Sequence, residues 1–300
     1  MKILLLGNRG YIGSYLNKVL CDTPYNFELD GIDIGWFSDS TNKKDYRDLT
    51  VSNYSQYDVI ILLAGHSSVR LCENDMISCF QNNVVNFVGL LEKIKDQKLI
   101  YASSSSIYGS MLHNSEVATE NRKDYVPVNQ YDLSKYVIDQ YAKLSGKKYY
   151  GLRFGTVNGY SPLLRTDVMI NAMVDSARTN GYVKVFNGHI NRPILGIQDL
   201  CRAVVAIVEG DSVPGIYNLA SFNKQVREIA SEVAQITNCD LIDERSENEN
   251  RSRPYDFKID CSKFCSTFNF QFKETIKSIT ESLMKNDYAS SSRHYKIGYQ

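Results

Sequence analysis

The chain of 300 residues has no excess of either charge: 34 Lys and Arg face 34 Asp and Glu. A field of one sign that would draw nucleic acid is therefore missing. No apolar stretch reaches the roughly 18 residues of a membrane span, and the first apolar run is too short for a secretory signal. The four histidines are scattered, and the seven cysteines (Cys21, Cys72, Cys79, Cys201, Cys239, Cys261, Cys265) include no C-x-x-C. Cys261 and Cys265 have no histidine nearby, so no metal site is expected. The odd cysteine count suits reduced thiols and a cytoplasmic location better than a disulfide framework. Internal repeats and long low-complexity linkers are lacking too. Three hundred residues, 43% of them hydrophobic, suit one large α/β unit or two intimate domains.

What is present begins at the first residues. Ile3-Leu4-Leu5-Leu6 is an unbroken apolar run, as in a strand buried on both faces of a parallel sheet. Gly7-Asn8-Arg9-Gly10-Tyr11-Ile12-Gly13 follows, and a helical pattern resumes at Ser14. Strand, glycine turn and helix N-terminus make a diphosphate cradle, since glycine lets the backbone approach the anion and the helix supplies free N–H groups. The spacing departs from G-x-G-x-x-G, and a plain glycine-capped turn is the alternative. Residues 27–33 read as a second strand ending in Asp33. That acid falls about 20 residues after the turn, where it can accept from an adenosine ribose; an ordinary polar strand end is the other reading.

Further strands are expected at 58–65, 98–102, 148–154, 183–186 and 216–220, and helices at 77–95, 136–145, 167–178, 199–208 and 224–236. Segments 38–44, 113–129 and 243–251 read as loops, and 287–300 as a loosely held tail. The alternation predicts a doubly wound, parallel α/β sheet.

Tyr131 and Lys135 stand four apart at the start of a helix, hence on one face. An ammonium beside a phenol favours the phenolate, so Tyr131 can exchange a proton with a substrate hydroxyl. A lone Y-x-x-x-K also describes a solvated helix face. Ser104, at the carboxyl end of a central strand, lies on the edge where open α/β sheets bind ligands and could hold the same oxygen; a polar strand-to-loop turn is the alternative.

Together the glycine turn, Leu63-Ala64-Gly65, the segment from Tyr101 to Gly109, Tyr131-x-x-x-Lys135, Leu152-Arg153-Phe154 and Arg253-Pro254-Tyr255-Asp256 resemble the extended short-chain dehydrogenase/reductase family. This group holds the sugar-nucleotide epimerases, dehydratases, decarboxylases and reductases, typified by UDP-galactose 4-epimerase. The stretch from Gly155 to Arg165 is similar to a subgroup acting at C4 of nucleotide sugars, which includes a nucleotide-heptose 4-dehydrogenase.

The resemblance implies a Rossmann-type domain over 1–158, with 191–213 returning to it, and a smaller substrate-binding part from 159–190 and 214–286. It implies Tyr131 as acid/base, Lys135 as ribose anchor and electrostatic partner, and Ser104 as the catalytic hydroxyl. Gly7, Arg9, Gly10, Tyr11, Ile12, Gly13, Asp33, Asp45, Tyr46, Leu63, Ala64 and Gly65 join Tyr131 and Lys135 in the cofactor site, with Asp45 and Tyr46 at the adenine. Ser105, Ser106, Thr156, Arg165, Arg192 and Arg253 fall to the substrate, the last arginine and Arg192 gripping phosphates. Thr156 replaces a common Asn, and Gly196 stands where many members have His. The expected cofactor is NAD, because Asp33 would repel a 2′-phosphate; Arg9 inside the turn speaks for NADP.

The expected function is oxidoreduction at C4 of a nucleotide sugar, as a 4-epimerase, with no nucleic-acid or membrane partner and a homodimer as the family's usual state. The alternatives are a net C4-dehydrogenase or 4-ketoreductase, and a non-catalytic dinucleotide sensor. A 4,6-dehydratase is not expected. That chemistry uses an Asp and a Glu where this chain has Ser105 and Ser106, and the next carboxylate along the loop is Glu116.

Overall fold

The structure is a computed structural model and describes residues 1–22, 24, 27–36, 43–109, 117–122, 126–211, 213–243 and 255–286. Elements follow in chain order. β1 (Lys2–Leu6), α1 (Tyr11–Asp22), β2 (Glu28–Ile32), α2 (Val51–Tyr54) and β3 (Val59–Leu62) come first. Next are α3 (Val69–Asn74), α4 (Met76–Phe80), α5 (Asn86–Lys93), β4 (Lys98–Ser104), β5 (Val117–Ala118), α6 (Gln130–Leu144), β6 (Tyr149–Phe154) and β7 (Thr156–Asn158). Then follow α7 (Met169–Asn180), β8 (Tyr182–Val185), β9 (Asn191–Gly196), α8 (Ile197–Glu209), β10 (Gly215–Leu219) and β11 (Phe222–Gln225). α9 (Val226–Thr237), β12 (Asp240–Asp243), β13 (Lys258–Ile259), α10 (Ser262–Phe268) and α11 (Ile276–Lys285) complete the order.

Six strands form the central sheet in the order β10-β6-β4-β3-β1-β2, every pair parallel. Its middle strands are apolar on both faces: Ile3 to Leu6 are fully buried, as are Ile60 and Ile61. α1 and α8 cover one face, where Leu16, Leu20, Leu200, Val204 and Ile207 meet Ile3, Leu5 and Ile61. α5 and α6 cover the other, where Phe87, Leu91, Ile138 and Ala142 meet Leu4, Leu6, Ile60 and Tyr101. From β1 the chain crosses outward to β2 and then back past β1 to β3. Helices leave the carboxyl ends of β1 and β3 in opposite directions, and the crevice between them is where such sheets take ligands.

A second core joins α7, α9 and α11 with β8 through Ile170, Val174, Val183, Ile229, Val233, Ile279 and Leu283. It is tied to the glycine turn by a buried clasp. The Tyr11 hydroxyl donates to Gly159 O at 2.7 Å and accepts from Asn171 Nδ2 at 3.1 Å, while Ser161 Oγ donates to Tyr11 O at 2.6 Å.

The structure differs from the sequence reading at several points. The expected boundary at 214 falls before β10, which extends the central sheet beside β6. α6 begins at Gln130 rather than 136, because Asn129 Oδ1 caps the Asp132 N–H at 2.9 Å. The helix expected over 77–95 is α4 and α5 joined by a π-helical turn, Gln81–Val85. Cys72 and Cys79 form a disulfide across the α3–α4 junction, with Cα atoms 4.9 Å apart. The expectation of free thiols throughout is corrected, since Asp75 ends one short helix, caps the next and turns the chain back. The loops read at 38–44 and 243–251 fall largely outside the described residues and the 287–300 tail entirely so, while of 113–129 residues 117–122 and 126–129 are described and include the strand β5 (Val117–Ala118) where only loop was expected.

Gly196 leaves room for a carboxyl group. A Cβ there would lie 2.0 Å from Glu274 Oε2, which accepts from the Asp199 N–H at 2.9 Å. Burial, and secondarily the Asp199 carboxylate, push the Glu274 pKa up from 4.5 to about 7. The native state therefore prefers the protonated acid, and stability present below the unfolded pKa is lost as pH rises through about 7. Glu274→Gln should remove that slope, and gain on the order of 2–3 kcal/mol over wild type near pH 8. Thermal melts across this range check it; parallel pH profiles for the two proteins would contradict it.

Candidate active site

A cleft of about 340 Å³ opens at the carboxyl ends of β1, β3 and β4. The glycine turn forms one wall. Gly7 has φ +91°, and a Cβ on it would stand 2.7 Å from Ala64 N; one on Gly13 would stand 1.9 Å from Gly7 O. Only glycine lets this turn close against β3. A Cβ on Gly10 would meet only Gly7 O, at 3.6 Å, so that side faces open space. Tyr11, Ile12 and Gly13, the first turn of α1, also line the cleft, and the N–H groups of a first turn have no intrahelical acceptor. These features fit a dinucleotide's diphosphate.

Asp33 stands on the same wall. One carboxylate oxygen accepts from Arg9 N–H at 3.0 Å and the other from Gly35 N–H at 2.7 Å. Each oxygen keeps a lone pair for a ribose hydroxyl. Arg9 meets Asp33 through its backbone and is absent from the cleft wall. Leu63, Ala64 and Gly65 form the β3 edge, and Asp45 and Tyr46 close the far end. The Arg47 guanidinium grips Asp45 with Nε 2.8 Å from each oxygen and holds its carboxyl below the usual range.

Tyr131, Lys135 and Ser104 meet deeper in. Lys135 Nζ lies 5.7 Å from the Tyr131 ring centre and donates to Ala102 O at 2.9 Å. Burial draws its pKa down from 10.5 to about 8. Ser104 acts on the Tyr131 hydroxyl in favour of its ionised form. The hydroxyl's pKa is nonetheless raised, chiefly by burial and further by the Asp132 charge, against Ser104 and Arg165. Loss of solvation outweighs the favourable partners in this balance.

Ser105 donates to Phe154 O at 2.8 Å, so its proton is committed to the backbone. Ser106 Oγ lies 2.8 Å from Ser104 Oγ and donates to Asp132 Oδ1 at 2.5 Å. The reading that no carboxylate neighbours this serine run is corrected. Glu116 falls outside the described residues, but Asp132, one place after Tyr131, turns in from α6.

Thr156, Arg165 and Arg192 line the same cleft. Arg192 Nη2 donates to Thr156 Oγ1 at 3.3 Å, the guanidinium carbon is 5.8 Å from the Tyr255 ring centre, and Nε is buried without a partner. A buried guanidinium fork with an unfilled donor is an anion receptor. Arg165 is pinned by Asp167 at 2.7 Å and reaches Ser67 O at 3.4 Å. Arg253 lies outside the described residues.

Three lining residues were missed in the sequence. His66 is buried with Nδ1 unpartnered, Trp36 packs edge-on to it at 5.6 Å, and Tyr255 stands beside Arg192. His66 was open to notice, since it directly follows Leu63-Ala64-Gly65. Trp36 had no local signal beyond being the single tryptophan.

A glycine cradle beneath an acid, a buried Tyr–Lys pair beside a serine and an arginine across the cleft are the arrangement of a dinucleotide-dependent oxidoreductase. Residues 3–220 match the NAD dependent epimerase/dehydratase family, and the chain belongs to it. It is an enzyme of that class, with NAD as cofactor. Protein CapI of Staphylococcus aureus is 29% identical over 241 residues, 71% of each chain. The structure of UDP-glucuronic acid 4-epimerase from Bacillus cereus, in complex with UDP-glucuronic acid and NAD, superposes with TM-score 0.81. Identity is 21%, over 95% of this chain and 98% of that one. dTDP-glucose 4,6-dehydratase from Bacillus anthracis, in complex with NAD, gives 0.79 at 20% identity, over 96% and 97%. At these identities the two structures establish the fold.

Proposed function

We propose that this enzyme moves hydride between NAD and C4 of a nucleotide-activated sugar, as a sugar-nucleotide 4-epimerase. The observation that carries the reading is the meeting of Tyr131, Ser104 and Lys135 in one cleft, between the glycine cradle and Arg192. Tyr131 takes the C4 hydroxyl proton. Lys135 anchors the ribose with the N–H groups that Ala102 leaves over. Arg192, with Thr156 and Arg253, grips the sugar nucleotide's diphosphate. Bound NAD supplies the redox chemistry. In this division of labour the sheet-bearing part holds the cofactor, and residues 159–190 with the segment after β10 close over the sugar. The UDP-glucuronic acid bound by the Bacillus cereus enzyme supports the substrate class.

Chemistry confined to C4 is supported by Ser105, whose proton goes to the backbone, and by the burial of Asp132 behind Ser106. The test offers NAD with several nucleotide hexoses and follows products by NMR. Inversion at C4 alone is expected. A 4-keto-6-deoxy product with its new methyl signal would sink the reading, and accumulating keto sugar with reduced NAD would replace it by a net dehydrogenase.

A homodimer belongs to the same proposal. Met76, Ile77 and Phe80 of α4 and Leu133, Tyr141 and Leu144 of α6 are all exposed, and contiguous apolar surface of this kind favours covering by a partner. Ile77→Asp with Phe80→Asp should give a monomer by sedimentation; an unchanged mass would place any dimer contact elsewhere.

A further inference from the structure

We propose that the Tyr255 ring is a fixed wall along one side of the bound sugar, and that it restricts the enzyme to nucleotide hexoses with no bulky group, such as an acetamido or acetyl group, on that side. The inference rests on the proposed function and names the class of sugar that the same cleft admits.

The placement of the side chain comes first. Tyr255 lines the cleft together with Ser104, Ser106, Thr156 and Arg192. Its hydroxyl end lies at the chemistry. Tyr255 OH donates to Asp132 Oδ2 at 2.6 Å, and the other oxygen of that carboxylate accepts from Ser106 at 2.5 Å. Ser106 Oγ in turn is 2.8 Å from Ser104 Oγ. The ring lies at the anion receptor, its centre 5.8 Å from the Arg192 guanidinium carbon. Tyr255 therefore reaches from the serine hydroxyls beside C4 to the guanidinium that takes the diphosphate on C1. C1 and C4 are opposite corners of a six-membered sugar ring. A residue that spans the two runs along one side of the sugar, where the substituents of C2 and C3 or of C5 and C6 project.

This wall is held at every edge. The hydroxyl accepts from Asn129 Nδ2 and donates to Asp132, so both its partners belong to the cap and first turn of α6, the helix that carries Tyr131. Burial, and then the Asp132 charge, keep the phenol's pKa above its ordinary value, so the donated proton stays in place. Phe257 meets the ring edge-on at 6.3 Å. Behind the ring is bare backbone: a Cβ on Gly109 would stand 2.1 Å from Tyr255 Cδ1. Gly109 has φ −66°, a value open to any residue, so glycine is needed there for space rather than for conformation. Gly109 does not line the cleft, which leaves the ring standing between it and the sugar.

A wall of this kind selects by refusing. A mobile side chain would move aside and admit large and small sugars alike, whereas a pinned one turns each added atom into a clash. A single extra methylene against a fitted wall is worth roughly 10–200-fold in discrimination, and an acetyl group is larger.

The test uses NAD-loaded protein and reads binding by calorimetry, so it needs no turnover. The probes are UDP-glucose, UDP-N-acetylglucosamine, enlarged at C2, and 6-O-acetyl-UDP-glucose, enlarged at C6. Wild type should bind one of the enlarged probes at least about tenfold more weakly than UDP-glucose. Tyr255→Ala should close that gap, and the probe that responds tells which side the ring occupies. Tyr255→Phe puts the ring back and should restore the discrimination. Gly109→Ala acts from behind, presses the ring toward the sugar and should widen the gap further; it also keeps the test decisive if Tyr255→Ala folds poorly. A merely structural role for Tyr255 would weaken all three probes together. Equal affinities in wild type, or a ratio unmoved in both Tyr255→Ala and Gly109→Ala, overturns the wall. If UDP-glucose is bound and turned over in that case, the functional reading still stands. No binding of any probe by any of these proteins overturns the wall together with that reading.

Discussion

Tyr131→Phe is expected to cut turnover by roughly 10²–10⁴-fold, the usual worth of a positioned acid/base, and to leave NAD affinity within about twofold. The two effects separate because the variant loses one oxygen and nothing else. The ring stays against Lys135, whose Nζ is held by Ala102 O rather than by the phenol. The glycine turn and Asp33 are untouched. Calorimetry with NAD and single-turnover hydride transfer measure the two quantities independently. Full activity in the variant would remove Tyr131 from the chemistry, and a matching loss of NAD affinity would make its role one of binding.

The largest stability effect is expected at Arg153, which is completely buried in β6. Its Nε donates to Asp139 Oδ2 at 2.8 Å, and Nη1 is bonded to Tyr108 OH. Tyr101 OH donates to the other Asp139 oxygen at 3.0 Å. Asp139 is on α6, one turn beyond Lys135 and two beyond Tyr131, so the pair fixes the helix face that carries the chemistry to the sheet below. Arg153→Met leaves a carboxylate buried without its cation and should destabilise by about 3–5 kcal/mol. Arg153→Met combined with Asp139→Leu removes both charges and should recover much of that loss. Urea unfolding at constant m-value reads the change. A double variant no better than the single one would mean that the hydroxyl network, not the ion pair, carries the stability.

What was legible in the sequence was what acts over short range. β1 and β3 are continuous apolar runs because both faces are covered, and a pattern of that kind needs no partner to be seen. The glycine turn, Asp33, Ser104 and the Tyr131–Lys135 pair lie on or next to such elements. β7, β9 and β11 were not read. They are three to six residues long and hold Thr156, Asn158, Arg192, Pro193 and Lys224, so they exist through their pairing with one another, not through any apolar pattern of their own. The same limit hid Asp132. Its neighbour in the sequence is Tyr131, but its meaning comes from Ser106 and Tyr255, 26 and 123 residues away. Gly196 was visible as a departure from the family, though only packing shows that Glu274 fills the space.

The Tyr11 clasp has a consequence for the order of folding. Its partners Gly159 and Asn171 lie 148 and 160 residues along the chain from it. The first turn of α1 is therefore pinned only once most of the polypeptide has collapsed. Loops of that length close late, since their entropy is lost before the contact gives anything back. A ligand seated on that turn meets a finished surface only at the end of folding. NAD should accordingly slow the escape of the native protein while leaving the speed of its formation unaltered. Enzyme depleted of NAD would then refold as fast as before and simply not last as long.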